Sequence, residues 1–118
     1  MPLLNVPRKN DKILILKFPW LGMLLSGEKT LEIRSKPFSA GRYWLGHKKL
    51  IYAEVQFGEP RFIATQNEFD SLRYQHLVKG SKMYEKTFGL PVLSCKPLKK
   101  TIPFHHPRGA VSIVKYRK

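Results

Sequence analysis

The spacing of hydrophobic positions along this chain changes several times within 118 residues. Ile13-Leu14-Ile15-Leu16-Lys17-Phe18 is a short β-rich run and predicts a buried strand. Pro19 then suits the first turn of a helix, where its missing N–H costs nothing. Beyond it Trp20 matches Leu24 and Leu21 matches Leu25 at i,i+4, one apolar helical face that Gly27 closes. Residues 30–34 read as a second strand. Pro37, Gly41 and Gly46 mark turns around a strand over 42–45. Residues 50–57 alternate, with Ile51, Ala53, Val55 and Phe57 on one face and Tyr52, Glu54 and Gln56 on the other. Gly58 and Pro60 break that strand, and residues 61–64 resume it.

Thr65-x-x-Glu68 is a capping-box pattern and predicts a helix over about 67–77. Ser81 suits the cap of another helix, in which Tyr84 and Phe88 share a face and Gly89 terminates. Strand-like runs follow at 92–95, 98–102 and 110–116. The expected organisation is a flexible arm over residues 1–11 and one domain over 12–118. Its class is α+β: a closed or nearly closed small barrel of about six mostly antiparallel strands with two or three short helices.

Charge narrows the partners. Lysine and arginine number 22 against 8 acidic residues, a formal charge of +14. Such a surface favours polyanions, nucleic acid first. The longest apolar runs are too short and too interrupted by Lys17 to span a bilayer, so no membrane partner is expected. With no secretory pattern and a lone Cys95 that excludes an internal disulfide, an intracellular, reducing location is expected. No feature specifies a protein partner, and a monomer is expected.

The densest chemistry is in Gly27-Glu28-Lys29-Thr30-Leu31-Glu32-Ile33-Arg34. In a strand over 30–34, Thr30, Glu32 and Arg34 share one face while Leu31 and Ile33 take the other. With the apolar pair in the core, Glu32 and Arg34 project together into a cleft, and Lys29 stands at its helix-side entrance. A carboxylate accepts hydrogen bonds from exocyclic amines and ring N–H groups of a base. A guanidinium offers a planar fork to a carbonyl or phosphate, and Lys29 supplies a mobile cation, or a base if its pKa is depressed. The plain alternative is a Glu32–Arg34 surface ion pair, worth at most about 1 kcal/mol.

The run G-x-K-x-x-E-x-R, at Gly27, Lys29, Glu32 and Arg34, resembles the signature of ASCH domains, small β-barrels of the PUA-like superfamily. Phe18-Pro19-Trp20 resembles the Q-P-W-like entry of that family, with phenylalanine in place of glutamine. Residues 41–45 and 50–57 look like its next barrel strands. His76 and Tyr84 resemble its downstream helical residues, and Pro107, Gly109 and Ala110 its closing strand. The resemblance implies a PUA-like fold and binding of nucleic acid, RNA in preference to DNA. It also implies a base-binding cleft at the motif. Some members remove the acetyl group from N4-acetylcytidine and others are described as ribonucleases. In an enzyme Lys29 and Glu32 would be the catalytic pair. The deacetylases match this chain at Lys29 and Arg34 but carry threonine at the Glu32 position. They also place a glutamate after the helix containing His76, where this chain reads Leu77-Val78-Lys79-Gly80-Ser81.

Further binding candidates surround the motif: Lys36 and Arg42 for phosphates, Trp44 for base stacking beside the motif strand, and His105 with Arg108 for phosphate contact. His105 or His106 could join Lys29 in acid–base cleavage of RNA. Adjacent histidines in an extended segment point to opposite faces, so no metal site is expected, and no cofactor.

Overall fold

The computed structural model describes residues 6–82, 84–110 and 112–117. Residues 1–5 of the expected arm lie outside them. Seven strands and three short helices appear in the order β1 (Lys12–Ile15), α1 (Trp20–Ser26), β2 (Leu31–Arg34), β3 (Gly41–His47), β4 (Leu50–Phe57), β5 (Arg61–Ile63), α2 (Gln66–Ser71), α3 (Arg73–His76), β6 (Thr87–Pro103) and β7 (Ile113–Lys115).

The strands form one curled sheet of order β2-β6-β4-β3-β1-β7, with β5 also on β6. All pairings are antiparallel except β1 with β3. The result is a curled half-barrel of the expected α+β class. Strand β6 holds it together. Its first residues take β2 on one edge and β5 on the other, and its remainder runs along β4.

The predicted α1 forms for the expected reasons. Leu21 and Leu24 are buried, and Gly27 ends the helix at φ 85° with its N–H on the Leu24 carbonyl. The capping box also forms, because the Glu68 N–H donates to Thr65 Oγ1 at 3.1 Å. Its helix is split, however: Leu72 leaves helical geometry at φ −99°, ψ 6°, separating α2 from α3.

Two expectations fail. Among the described residues of 81–89 no helix forms, because Thr87, Phe88 and Gly89 pair with β5 while Phe88 to Pro91 pair with β2. Sheet pairing on both edges overrides the local helical spacing. The runs at 92–95 and 98–102 are one strand, continuous through Pro97. Proline is tolerated there because it faces Ala53, where the β4 register shifts.

That shift also refines the face assignment on β4. Ala53, Val55 and Phe57 join Leu14, Leu21 and Leu90 in the main core. Ile51 instead packs with Ile13, Trp44, Phe104 and Val114 in a second cluster. A third cluster, around Leu31, Ile33, Ile63 and Phe69, lies beneath α2 and α3. Near the N-terminal end, Asp11 accepts hydrogen bonds from Trp44 Nε1 and Arg42, each at 3.0 Å. Among the described residues no helix is long and apolar enough to cross a membrane.

Candidate functional site

Strand β2 carries Leu31 and Ile33 into the third core cluster, so alternation turns Glu32 and Arg34 the other way. Lys29 precedes the strand in a stretch fastened on three sides. Its N–H donates to the Met23 carbonyl of α1, the Thr30 N–H to Gln75, and the Val92 N–H to the Thr30 carbonyl. The backbone of residues 29–30 is thereby fixed between α1, α3 and β6.

The three motif side chains meet in a cavity of about 300 Å³ that opens to solvent. Lys29 is 2% exposed and Glu32 4%, so these are buried charges and not a surface pair. Glu32 Oε2 accepts from Arg34 Nε at 3.0 Å, and Oε1 lies 3.8 Å from Lys29 Nζ, an ion pair beyond hydrogen-bond distance. Arg34 also donates to the Ile15 carbonyl at 2.9 Å, which ties β2 to the end of β1. The Lys29 ammonium donates to the His76 carbonyl and lies 5.0 Å from the Trp20 ring centroid.

Burial dominates the electrostatics. It lowers the Lys29 pKa, with Arg34 adding to the effect and Glu32 opposing it. It raises the Glu32 pKa against the pull of Arg34 and Lys29. Each group is driven towards its neutral form, as expected for charges taken out of water.

His76 supports this site from behind. It is fully buried, stacked on Phe69 at 4.1 Å, and its Nδ1 accepts the Val78 N–H at 2.9 Å. Nε2 must therefore hold the proton that it donates to the Phe69 carbonyl at 2.8 Å. Burial lowers its pKa, with nearby Lys29 and Arg73 acting in the same direction.

Trp20, Val78 and Tyr84 complete the apolar wall of the cavity. Beyond Trp20 and Val78 an apolar shelf continues over Pro19, Met23 and Leu77. Tyr84 stands at the mouth in a bend, not on the expected helix, and is 37% exposed.

The cavity brings together the three expected charged residues and leaves out the expected aromatic one. Trp44 has no exposed surface, and its indole N–H is held by Asp11, so no base can stack on it. Its strand alternates as expected, but that face is covered by the second core cluster. Arg42 is occupied by Glu54 at 2.8 Å and Asp11 at 3.0 Å. Arg42, Lys36, His105 and Arg108 do not line the cavity. His106 bonds through Nε2 to the Ala110 carbonyl and stacks on Phe104. Neither adjacent histidine lines the cavity with Lys29, so the considered histidine–lysine acid–base pair is not assembled there. Trp20 was legible as part of a helical apolar face and of the Phe18-Pro19-Trp20 entry, nine positions before Lys29.

No protein-family model matches the sequence, and no curated protein does. Solved structures do match the fold. The crystal structure of ASCH from Zymomonas mobilis has a TM-score of 0.71 at 15% identity, covering 92% of this chain and 89% of that one. A serine-to-alanine mutant of the Zymomonas protein gives 0.71 at 16%, over 96% and 92%. A tyrosine-to-phenylalanine mutant gives 0.70 at 15%, over 93% and 92%. This chain has the ASCH fold along nearly its whole length.

Proposed function

We propose that this ASCH-fold protein binds single-stranded nucleic acid, RNA in preference to DNA, and takes one unstacked base into the cavity at Lys29, Glu32 and Arg34. The observation that carries the reading is the buried Glu32 carboxylate. Arg34 grips one oxygen while the other has only a distant ammonium, leaving it available to a ligand donor. An exocyclic amine or ring N–H of a base is such a donor. The Trp20 and Tyr84 side chains supply the apolar and aromatic wall that a base plane requires, with stacking worth about 1–3 kcal/mol. A volume of about 300 Å³ suits one nucleoside and excludes a duplex. The remaining cations of a +14 chain would neutralise phosphates.

The test is a titration of labelled single-stranded RNA, single-stranded DNA and duplex DNA across a salt series. Preference for RNA that persists at physiological salt is expected. Glu32→Ala should remove base preference more than total affinity, while exposed lysine substitutions should do the reverse. Equal binding to all three polymers that vanishes with salt would leave only a non-specific polyanion surface and defeat the reading.

A second reading rests on Lys29 alone. A buried amine with a depressed pKa at the wall of a cavity is a competent base or nucleophile, which suits a ribonuclease or a deacetylase of N4-acetylcytidine. Turnover of excess substrate that Lys29→Ala abolishes would establish it. Glu32, where the deacetylases resembled in sequence carry threonine, weighs against the deacetylase form.

A further inference from the structure

The chain leaves β1 along the rim of the cavity, with Ile15, Leu16 and Lys17 in its lining. On the side away from Arg34, the Leu16 N–H donates to the Gly46 carbonyl at 2.9 Å. The following residues therefore run beside His47 and the β3–β4 turn. Phe18 emerges here and is 49% exposed. The His47 ring lies 5.4 Å away at 81° and the Tyr52 ring 5.8 Å away at 80°. These edge-to-face contacts hold the phenylalanine in a fixed orientation while about half of it stays in water.

Exposed lysines stand on the two segments that meet here. Lys17 is exposed on the cavity side, and Lys48 and Lys49 are exposed in the turn after His47, at φ 48° and 67°. Residues 12–27 and 41–53, which build this corner, contain no carboxylate. An apolar protein surface would have to desolvate these ammonium groups, whereas a polyanion with flat apolar groups satisfies ring and cations together.

We propose that Phe18 is a second base-stacking platform, receiving the nucleotide next to the one held in the cavity, with Lys17, Lys48 and Lys49 contacting the phosphates. This rests on the nucleic-acid reading of the cavity and extends it from one nucleotide to a path for a strand.

The experiment measures anisotropy of a fluorescein-labelled, mixed-sequence single-stranded RNA octamer, with competition by the four nucleoside monophosphates. Phe18→Ala should weaken the octamer between about 5-fold and about 150-fold and leave monophosphate competition unchanged. Phe18→Tyr should bind like the parent, and Phe18→Leu like the alanine variant, since leucine keeps the apolar bulk but has no π-face. Lys48→Ala with Lys49→Ala should lower the slope of log affinity against log salt by about 1 to 2. Octamer binding that Phe18→Ala leaves intact overturns the platform and spares the cavity reading. An equal loss for octamer and monophosphates also overturns it, because Phe18 would then act by shaping the cavity. Failure of the parent protein to bind the octamer at all defeats the cavity reading itself.

Discussion

The Lys29 ammonium donates a hydrogen bond to the main-chain carbonyl of His76, 47 residues further along the chain. One contact thus joins the start of the motif strand to the end of α3. The carbonyl is in place because the His76 ring is locked on both nitrogens, by Phe69 and by Val78. The histidine orients its own backbone, and that backbone orients the lysine.

His76 should be the neutral tautomer with its proton on Nε2. Long-range proton–nitrogen correlation spectra should show one ring nitrogen of each type at neutral pH. Burial places its pKa below the ordinary 6.5. A depressed value means the folded state holds fewer protons than the unfolded one. The stability His76 contributes is therefore present above pH 6.5 and lost as pH falls through its folded value. A titration midpoint above 6.5 would contradict this account.

Removing the two buried charges should have unequal effects. Lys29→Met deletes a desolvated cation and leaves Glu32 balanced by Arg34, so stability should hold or rise, by about 1–4 kcal/mol at the upper bound for such replacements. Glu32→Gln mimics the protonated form that burial favours but leaves two cations facing one cavity, so it should be the less stable of the two variants. Urea unfolding of the two variants reads this difference. Equal destabilisation by both would mean that the ammonium and carboxylate are balanced as a simple pair.

The same pair sets two opposing pH windows. Glu32 has a raised pKa, so its stabilising contribution is full below the ordinary 4.5 and is lost as pH rises through the folded value. Lys29 has a lowered pKa, so its contribution is full above 10.5 and is lost as pH falls through the folded value. Midpoints of denaturation measured against pH should flatten in the acid window for Glu32→Gln and in the alkaline window for Lys29→Met. An unchanged profile in either variant would remove that residue from the account.

The two tryptophans should report separately. Trp44 is fully buried and should resist acrylamide, whereas Trp20 lines the cavity and should be quenched by it. A bound nucleotide should change the emission of the parent and of Trp44→Phe, and not that of Trp20→Phe. A ligand signal that persists in Trp20→Phe would place binding elsewhere.

Gly89 is where β6 is paired on both edges, opposite Ile33 on one side and Arg61 on the other. A Cβ there would sit 2.9 Å from Leu31 side-chain atoms. Gly89→Ala should therefore cost about 1–3 kcal/mol by overpacking. Thermal unfolding should show partial recovery when Leu31→Ala is added. Additive losses in the double variant would show that the clash is not with Leu31.

The parts of this site that the sequence revealed are those governed by period. Alternation across 30–34 put Glu32 and Arg34 on one face, and the helical spacing before Gly27 placed Lys29 at the junction. Contacts between distant segments were not legible. Nothing local says that Trp44 is covered by residues from the far end of the chain, or that His76 turns its carbonyl to Lys29. Gly89 misled in a related way. A glycine after apolar residues at helical spacing reads as a helix stop, yet here it leaves room for the Leu31 side chain.

Strand β6 has a further consequence, in the order of events during synthesis. Lys29, Glu32 and Arg34 leave the ribosome well before their sheet partner: β2 waits for Phe88 to Pro91, and the second edge of β4, already paired with β3, waits for Val92 to Pro103. Pairings separated by so much chain close slowly. Until β6 emerges the nascent protein therefore carries its ionised motif in water, and the low-dielectric cavity that perturbs those charges comes into being only with that strand.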